Sequence, residues 1–383
     1  MKGSIMPALK QSAVISISEA NNQNSLLALE DEWNRLVKAT NNEPFYRYEY
    51  IHTWLNNFTP AAKLRVLIGR TSTGELVSLL PLIAEHNSFY GLPVRQLIST
   101  ANSHSCRFDL IAKDGEAAGQ AFFAYLLNDP HWDLLKIIDV PQGGNAWYIY
   151  RAAQAAGFPV GNWMSQRSPY LQLPSYYQEL MGEYSSQFKA TIRRRRKRLE
   201  KMGKVYMECV TGGTQLINRL QESFEIEQSG WKGKQGTAIA QDQSTYNFYT
   251  ELAHKTAEQG FFSLFFLKLN DKSIAFQYTL TYGDTCYLQK LGYDEQFNEC
   301  SPGLLLMDEV IKDCISRGLR RVDLLGDDTY WKMKWTNQVL PHNWLFIFRR
   351  NTVGRVMQNT KFKLVPAMKK ILGYWKGNNK SWR

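Results

Sequence analysis

The first half of the chain alternates between helical and extended patterns of apolar residues. Residues 1–24 are polar and weakly patterned, whereas apolar side chains recur at helical spacing over 26–37. Apolar runs at 64–68 and 76–83 predict two strands, with a turn at Thr73-Gly74 between them. The other elements that the pattern predicts here are a helix over 117–127, a strand over 134–138 and a helix over 146–156.

The second half, from Ser175, predicts helices and strands in a different order. Helices are expected over 178–201, 214–228 and 245–259, with a strand over 205–210 after the first of them. Strands at 262–269, 274–282 and 285–293 are separated by tight turns, as in an antiparallel meander. A helix over 302–317 and strands over 320–325 and 344–348 complete the series. We therefore expect an α/β fold with mixed sheets, whose two halves follow one plan without a visible residue-level repeat.

Length and composition are those of a globular protein with more than one domain. At ~150 residues per domain, 383 residues suggest two or three. Apolar residues make up 44% and charged residues 21%, which excludes a disordered chain. Five cysteines without paired spacing, and histidines without ligand spacing, argue against a disulfide framework or a metal site. No apolar run approaches ~20 residues and no signal peptide is apparent, so we expect a cytoplasmic protein.

The net charge of +11 is concentrated in two segments. Residues 189–204 hold nine basic residues and one acidic residue, and residues 349–383 hold ten basic residues and no acidic ones. Such zones favour contact with an anion, which could be a cofactor phosphate, a tRNA or an anionic membrane surface. A solvated helix face and a basic tail that only aids solubility are the alternatives.

The basic tail also carries regularly placed apolar residues. These are Val353, Val356, Met357, Phe362, Leu364, Val365, Met368, Ile371, Leu372 and Trp375. A basic amphipathic segment suits the surface of an anionic membrane, so we expect peripheral attachment at the inner face of a membrane. Pro366 is expected to interrupt the segment.

The start of the helix predicted over 302–317 has the chemistry of an anion site. Ser301 is a favourable N-cap residue, and Pro302 is favourable at the first helical position. Gly303 would let a ligand approach the first turn closely. Because a helix start offers free N–H groups and partial positive charge, residues 300–305 could hold a pyrophosphate. Any capped helix can look this way, so these residues alone do not establish a site.

The order of motifs adds a more specific resemblance. The run GYDEQFNECSPGLLLMDEVIKDCISRGLRRVDLLGDDTYWKMKW resembles the C-terminal half of the GNAT-like acetyltransferases of the cellulose-biosynthesis-associated (CelD/BcsL-like) family. Upstream, Glu227 with Ser229-Gly230-Trp231-Lys232-Gly233, and Ile274-Ala275-Phe276, are similar to further motifs of that family. The helix KATIRRRRKRLEKMG resembles an arginine-rich helix shared with FemAB-type aminoacyltransferases. The family's Tyr-Lys pair falls here on Trp331-Lys332, with Tyr330 one place earlier.

The resemblance implies two tandem GNAT-like lobes, with an acyl-CoA site in the second. The divisions expected are an N-terminal segment over 1–40, lobes over 41–174 and 175–350, and a tail over 351–383. Acetyl-CoA or another acyl-CoA would be a co-substrate, with no metal. Its pyrophosphate would lie on Cys300, Ser301, Gly303, Leu304 and Leu305, with Lys290 adding charge. The N-terminal lobe, which lacks a Gly-rich helix start, would shape the acceptor site.

Acyl transfer from a thioester needs a base, an oxyanion donor and a proton for the leaving thiolate. Glu227 or Asp323 is the candidate base or acceptor anchor, and Tyr293 or Tyr330 is the candidate proton donor. The resemblance also implies substrate contacts by Trp231, Lys232, Lys332 and Trp335. The expected function is transfer of an acetyl or other acyl group to an amine or hydroxyl acceptor in envelope or extracellular polysaccharide synthesis.

Two alternatives remain open at this point. One is a FemAB-like transferase that takes its aminoacyl group from tRNA, for which the arginine-rich helix is the best evidence. The other is a non-catalytic protein that binds a membrane surface or nucleic acid. The segment Asn102-Ser103-His104-Ser105-Cys106 places Ser, His and Cys together, but catalytic groups usually come from distant segments. We expect a turn before a strand there.

Overall fold

The computed structural model describes residues 15–370, except for the side chains of Trp231 and Lys232. Its strands are β1 Ser16–Ala20, β2 Lys63–Arg70, β3 Leu76–Phe89, β4 Leu92–Ser99, β5 Ile111–Ala112, β6 Leu134–Pro141, β7 Val160–Gln172, β8 Val205–Val210, β9 Phe262–Leu269, β10 Lys272–Tyr282, β11 Thr285–Tyr293, β12 Arg321–Asp323 and β13 Val339–Phe348. Its α-helices are α1 Gln23–Leu27, α2 Glu30–Ala39, α3 Tyr48–Phe58, α4 Gly115–Leu127, α5 Ala146–Ala155, α6 Tyr177–Glu183, α7 Ser186–Glu200, α8 Leu216–Ser229, α9 Trp231–Lys234, α10 Gln243–Glu258, α11 Pro302–Ser316 and α12 Thr352–Asn359.

Both halves of the chain use the same order of elements. In the first, β1 and helices α1–α3 precede the antiparallel strands β2, β3 and β4, and then α4 leads to β6, which is parallel to β4. In the second, β8 and α8–α10 precede β9, β10 and β11, and α11 leads to β12, parallel to β11. The expected mixed α/β fold with one plan used twice is therefore confirmed.

Two strands join the halves into one sheet. The strand order is β1-β2-β3-β4-β6-β13-β7-β12-β11-β10-β9-β8, with β5 paired to β3. Strand β13, late in the chain, lies between β6 and β7 and is antiparallel to both. The far end of β7 continues past β13 and pairs with β12. Each lobe is thus completed by a strand from the other half of the sequence.

The apolar core also crosses the boundary between the lobes. Helix α3 of the first lobe packs against α10 of the second, where the rings of Tyr50 and Phe248 meet edge to face at 5.6 Å. Phe45 meets Tyr287 of β11 in the same way at 5.2 Å. Such ring pairs add to the free energy of burial, so the two lobes share one packed body.

The helix expected over 178–201 is two helices, α6 and α7. Tyr184 and Ser185 between them are extended, and the Ser185 hydroxyl accepts a hydrogen bond from the N–H of Phe188 at 3.2 Å. A serine in this conformation begins a helix, so apolar periodicity across 178–201 concealed a helix boundary. Ile192 and Leu199 of α7 are buried against α11 and its neighbours.

The tail packs on the sheet through one face only. Met357 is buried, and the Phe362 ring lies where a side chain at position 161 would be, within 2.2 Å of an ideal Cβ on Gly161.

The helix continues past Pro366, so the expected interruption is absent. A π-helical turn over Thr360–Leu364 precedes the proline and takes up the change in hydrogen bonding. Ile371, Leu372 and Trp375 lie outside the described residues. Over 15–370, no helix has the length and apolar character needed to cross a bilayer.

Candidate active site

A gap opens in the second lobe where two parallel strands separate. Strand β11 pairs with β12 only over Thr285–Tyr287, opposite Arg321–Asp323. Beyond that point β11 runs on to Tyr293, while β12 ends. The register with β10 also shifts, since Lys290 faces Tyr278 and Leu288 faces Thr279, which leaves Gln289 as an extra residue. This β-bulge lies beside the mouth of the gap.

Helix α11 begins beside the far end of β11. An ideal Cβ on Gly303 would lie 3.6 Å from side-chain carbons of Leu291 and Tyr293. Ser301, Gly303 and Leu304 are partly exposed, whereas Cys300, Pro302 and Leu305 are buried. Within the described part of the chain, the N–H of Gly303 has no hydrogen-bond acceptor. The helix start therefore presents at least one free amide donor on an accessible side.

The expected capping by Ser301 is wrong in one respect. Ser301 is the N-cap residue, but its backbone is left-handed at φ 51° and its hydroxyl makes no capping bond. Instead its carbonyl accepts from the N–H groups of Leu304 and Leu305 at 3.0 and 3.2 Å. The amide of Gly303 is consequently not used by the serine side chain, and it stays available to another acceptor.

The arginine-rich helix α7 lies against the segment that leads into α11. Arg195 donates to the carbonyl of Glu299, and Arg198 pairs with the Glu299 carboxylate. Arg196 pairs with Glu309 and lies 3.6 Å from Asp308, both on α11. Part of the basic zone thus holds the protein together, while Arg193, Arg194 and Lys197 are exposed. The zone adds positive potential close to the start of α11.

Asp323 lies in a buried ion-pair network between the lobes. Its Oδ2 accepts from Arg107 at 2.9 Å and from Arg321 at 3.0 Å, and its Oδ1 accepts from the N–H of Leu325 at 3.1 Å. Arg107 belongs to the first lobe and also pairs with Glu43 at 3.0 Å. Both oxygens of the Asp323 carboxylate are therefore occupied by protein donors.

Glu227 lies near the end of β11. The side chain is buried, and its Oε2 accepts from the N–H of Ile239 at 2.8 Å. An ideal Cβ on Gly292 would lie 3.1 Å from the Cα of Glu227, so the helix end and the strand meet closely there. Glu227 is thus the candidate carboxylate that lies beside the strand lining the gap.

The other predicted residues lie at the gap, on the surface or in the core. Tyr293 is partly exposed and lies against Gly303, and Lys332 donates to the carbonyl of Leu325 just after β12. Tyr330 is 80% exposed, whereas Trp335 is buried between Tyr184 and Phe188. Tyr293 and Lys332 therefore border the gap, and Trp335 is a core residue. The side chains of Trp231 and Lys232 lie outside the described part of the protein.

The first lobe adds a loop that the sequence did not reveal as part of this region. The predicted turn is present, with the N–H of Ser105 bonded to the carbonyl of Asn102, and β5 follows it. The turn reaches the second lobe, where His104 Nδ1 lies 3.4 Å from Lys290 Nζ. Burial, followed by the charge of Lys290, lowers the pKa of His104 to about 4.

Cys106 lies beside the β-bulge. Its Sγ is 3.8 Å from Oε1 of Gln289, and its backbone is left-handed at φ 63°. Burial raises the pKa of the Cys106 thiol to about 11, so the sulfur stays protonated at neutral pH. The sequence alone does not predict this contact, because positions 106 and 289 are far apart in the chain and meet only when the lobes pack.

In the first lobe, α4 corresponds to α11, and the amides at its start already have hydrogen-bond acceptors. The carboxylate of Asp114 caps α4 by accepting from the N–H groups of Glu116 and Ala117 at 3.1 and 3.0 Å. A second carboxylate, Asp109, accepts from Asn145 and Ala146 at the start of α5. Because carboxylates already hold these amides, neither helix start is suited to a phosphate.

Among the described residues, no group of three or more metal-ligating side chains is placed to hold a metal ion.

Part of the second lobe matches a known protein family. Residues 186–333 match the acetyltransferase (GNAT) domain family. The match includes α7, the β-bulge, the gap and all of α11. No curated protein matches the sequence significantly.

Solved structures show the same fold over most of the chain. FemX is 11% identical with a TM-score of 0.58, over 89% of this chain and 100% of FemX. A conserved protein of unknown function from Bacteroides thetaiotaomicron is 12% identical with a TM-score of 0.55, over 87% of this chain and 100% of its own. The C-terminal domain of a candidate lysylphosphatidylglycerol synthetase from Agrobacterium fabrum is 8% identical with a TM-score of 0.52, over 88% and 96%. At these identities the likeness shows the fold alone.

Proposed function

We propose that the protein transfers an acyl group from a coenzyme A thioester to an amine or hydroxyl acceptor at the gap between β11 and β12. The observation that carries this proposal is the position of an open helix start, with the free N–H of Gly303, at the end of the strand that borders the gap. The match of residues 186–333 to the GNAT acetyltransferase domain supports it.

The residues present fit a diphosphate and an extended thiol arm. The amides that open α11, from Gly303 onward, would donate to the diphosphate, and the exposed cations of α7 would add charge. The pantetheine arm would lie along β11 in place of the missing pairs with β12. Lys290 and Lys332 lie on the two sides of this gap, one on β11 and one after β12.

The reaction itself needs few protein groups. The acceptor nitrogen or oxygen attacks the thioester carbonyl carbon, so a new C–N or C–O bond forms and the C–S bond breaks. The electron pair of the broken bond leaves on sulfur, and the acceptor proton passes to a base. Glu227 is our candidate base, acting through a water molecule because its carboxylate is buried, and Tyr293 is our candidate donor to the thiolate.

The acceptor is proposed from the sequence resemblance and from the tail. Resemblance to the cellulose-biosynthesis-associated family favours a sugar amine or hydroxyl in envelope polysaccharide synthesis. The exposed basic and apolar side chains of the tail favour attachment to an anionic membrane surface, close to such acceptors.

Transfer of an aminoacyl group from tRNA is the second candidate. Arg193, Arg194 and Lys197 form an exposed basic face on α7, which could contact phosphates of a nucleic acid. FemX shares the fold at a TM-score of 0.58. The open helix start beside the gap favours the coenzyme A route, because a diphosphate needs that amide and an aminoacyl ester does not.

Substitution of Gly303 tests the placement of the donor. Gly303→Asp adds bulk and a negative charge where the diphosphate would bind, so we expect acetyl-CoA affinity measured by calorimetry to fall at least tenfold, about 1.4 kcal/mol. Gly182→Asp is the matched control, since it adds the same charge on α6, where an added Cβ meets nothing within 4 Å. Equal affinity in the two variants would contradict the placement.

A further inference from the structure

The loop over 102–107 places a histidine of one lobe against a lysine of the other. His104 Nδ1 lies 3.4 Å from Lys290 Nζ and 3.3 Å from the Tyr249 hydroxyl, and His104 Nε2 lies 3.5 Å from the Thr245 hydroxyl. The imidazole also stacks on Phe58, with the rings 5° from parallel and 5.4 Å apart. The ring is thus fixed by contacts on its face and on both nitrogens.

Lys290 is held from two sides. Its ammonium lies 5.0 Å from the centre of the Tyr249 ring, which is within cation–π range, as well as beside His104. The β-bulge at Gln289 disrupts the alternation of side chains, and both Gln289 and Lys290 face the loop of the first lobe. The charge is therefore directed toward the junction of the lobes, where β11 leaves β12.

We propose that His104 is a positioning residue of the acyl-transfer site, whose neutral Nδ1 accepts a hydrogen bond from Lys290 and holds that ammonium where the thioester carbonyl oxygen becomes negative. This inference rests on the proposed function, because it uses the gap as the place of the thioester. It gives the first lobe a direct part in the reaction. A fixed charge at a developing oxyanion contributes on the order of 10²–10³ to kcat.

The imidazole stays neutral over the working range of pH. Among the described residues, Lys290, Asp242 and Tyr249 are the titratable groups that face the ring. The Tyr50 hydroxyl and the Cys106 thiol lie against the backbone carbonyl of His104. Burial and the charge of Lys290 lower the pKa of His104, whereas the charge of Asp242 raises it. The resulting pKa is about 4. Above that pH the ring is neutral, and in the tautomer with its proton on Nε2, 3.5 Å from the Thr245 hydroxyl, Nδ1 is an acceptor for the ammonium.

His104 could also serve only to pack the lobes, and a set of variants separates the two roles. His104→Phe keeps a flat ring over Phe58 but removes the acceptor, and His104→Gln keeps an acceptor. We expect His104→Phe to lower kcat by about 10–100-fold with KM for acetyl-CoA within about twofold, as one donor of an oxyanion site would. His104→Gln should recover most of that loss. His131→Phe, at a histidine side chain that is 78% exposed, should leave kcat unchanged.

A double-mutant cycle tests the link to Lys290. If His104 acts through the ammonium, adding His104→Phe to Lys290→Met should lower kcat no further than Lys290→Met alone. Multiplied losses in the double variant would overturn the proposal. So would an unchanged kcat in His104→Phe, or a loss that His104→Gln fails to recover, provided that circular dichroism shows all variants folded.

An NMR titration tests the pair without any assay of activity. In the wild-type protein the Cε1–H signal of His104 should titrate near pH 4. Lys290→Met removes the neighbouring positive charge, so the pKa of His104 should rise while burial keeps it below its ordinary value. An unchanged pKa would show that the two groups are not paired. If instead the pKa rises but no acyl-CoA is turned over, the pairing stands and the proposed function fails.

Discussion

At the scale of residues, Arg107 joins the two lobes. Its guanidinium pairs with Glu43 at 3.0 Å and with Asp323 at 2.9 Å, and it lies over the rings of Phe45 and Tyr287. The side chain is 1% exposed. Because it is three residues from His104, the same ion pairs that hold the lobes together also fix the loop that reaches the candidate site.

Removal of Arg107 should be strongly destabilising. Arg107→Met leaves the buried carboxylate of Asp323 with fewer cations, and breaking a buried ion pair from one side costs about 3–5 kcal/mol. We expect a loss of that order in the free energy of unfolding, measured in urea by circular dichroism. Arg95→Met, which removes a pair whose arginine is 42% exposed, should cost under about 1 kcal/mol. Equal losses in the two variants would show that the Arg107 network is not an anchor.

At the scale of elements, strands with a regular apolar pattern were predictable, whereas the long strand β7 at the lobe junction was not. The bounds of β9, β10 and β11 were predicted closely because their apolar runs are separated by tight turns. Strand β7 was missed because it pairs with β13 along one part and β12 along another, and polar side chains such as Gln166 face the loop of the first lobe. Helix α3 was missed because the polar residues Glu49 and Thr53 are buried together with its apolar side chains, which obscures the helical spacing.

The candidate site likewise has parts that the sequence predicts and parts that it does not. The start of α11 was predictable from Ser301-Pro302-Gly303 because a helix start is a local property of the sequence. The contact between His104 and Lys290 spans 186 positions and depends on how the lobes pack, so no local pattern could show it. The buried ion pairs of Asp323 were hidden for the same reason, since Arg107 lies 216 positions away.

The tail makes a separate prediction about attachment to membranes. Val353, Val356, Leu364 and Met368 are 49–59% exposed, and Arg355, Lys363, Lys369 and Lys370 are exposed around them. We expect the protein to sediment with vesicles that contain phosphatidylglycerol, more weakly as salt increases.

Two substitutions on the tail give the matched comparison. Val356→Asp with Leu364→Asp should reduce the vesicle-bound fraction several-fold, because both changes place negative charge on the surface that faces the lipid. Leu127→Asp, at a residue of α4 that is 41% exposed, should leave it unchanged. If the wild-type protein does not sediment with anionic vesicles, the proposed attachment is wrong.

At the scale of the whole molecule, the two lobes share one order of elements but differ at the start of one helix. The exchange of β7 and β13 makes them a single sheet, and the apolar core continues across the junction. Yet Asp114 closes the helix start of the first lobe, while the equivalent start in the second keeps the free N–H of Gly303. On our proposal the second lobe would hold the diphosphate, and the first lobe contributes the loop with His104 and Arg107.

Calorimetric titration of the intact protein with acetyl-CoA, with bulk tRNA as the comparison ligand, tests this account most directly. We predict saturable binding of acetyl-CoA with one site per chain, since of the equivalent helices α4 and α11 only α11 has an open start. Bulk tRNA should give weak binding that disappears as salt increases. Two equal acetyl-CoA sites, or no acetyl-CoA binding together with tight tRNA binding, would contradict the account.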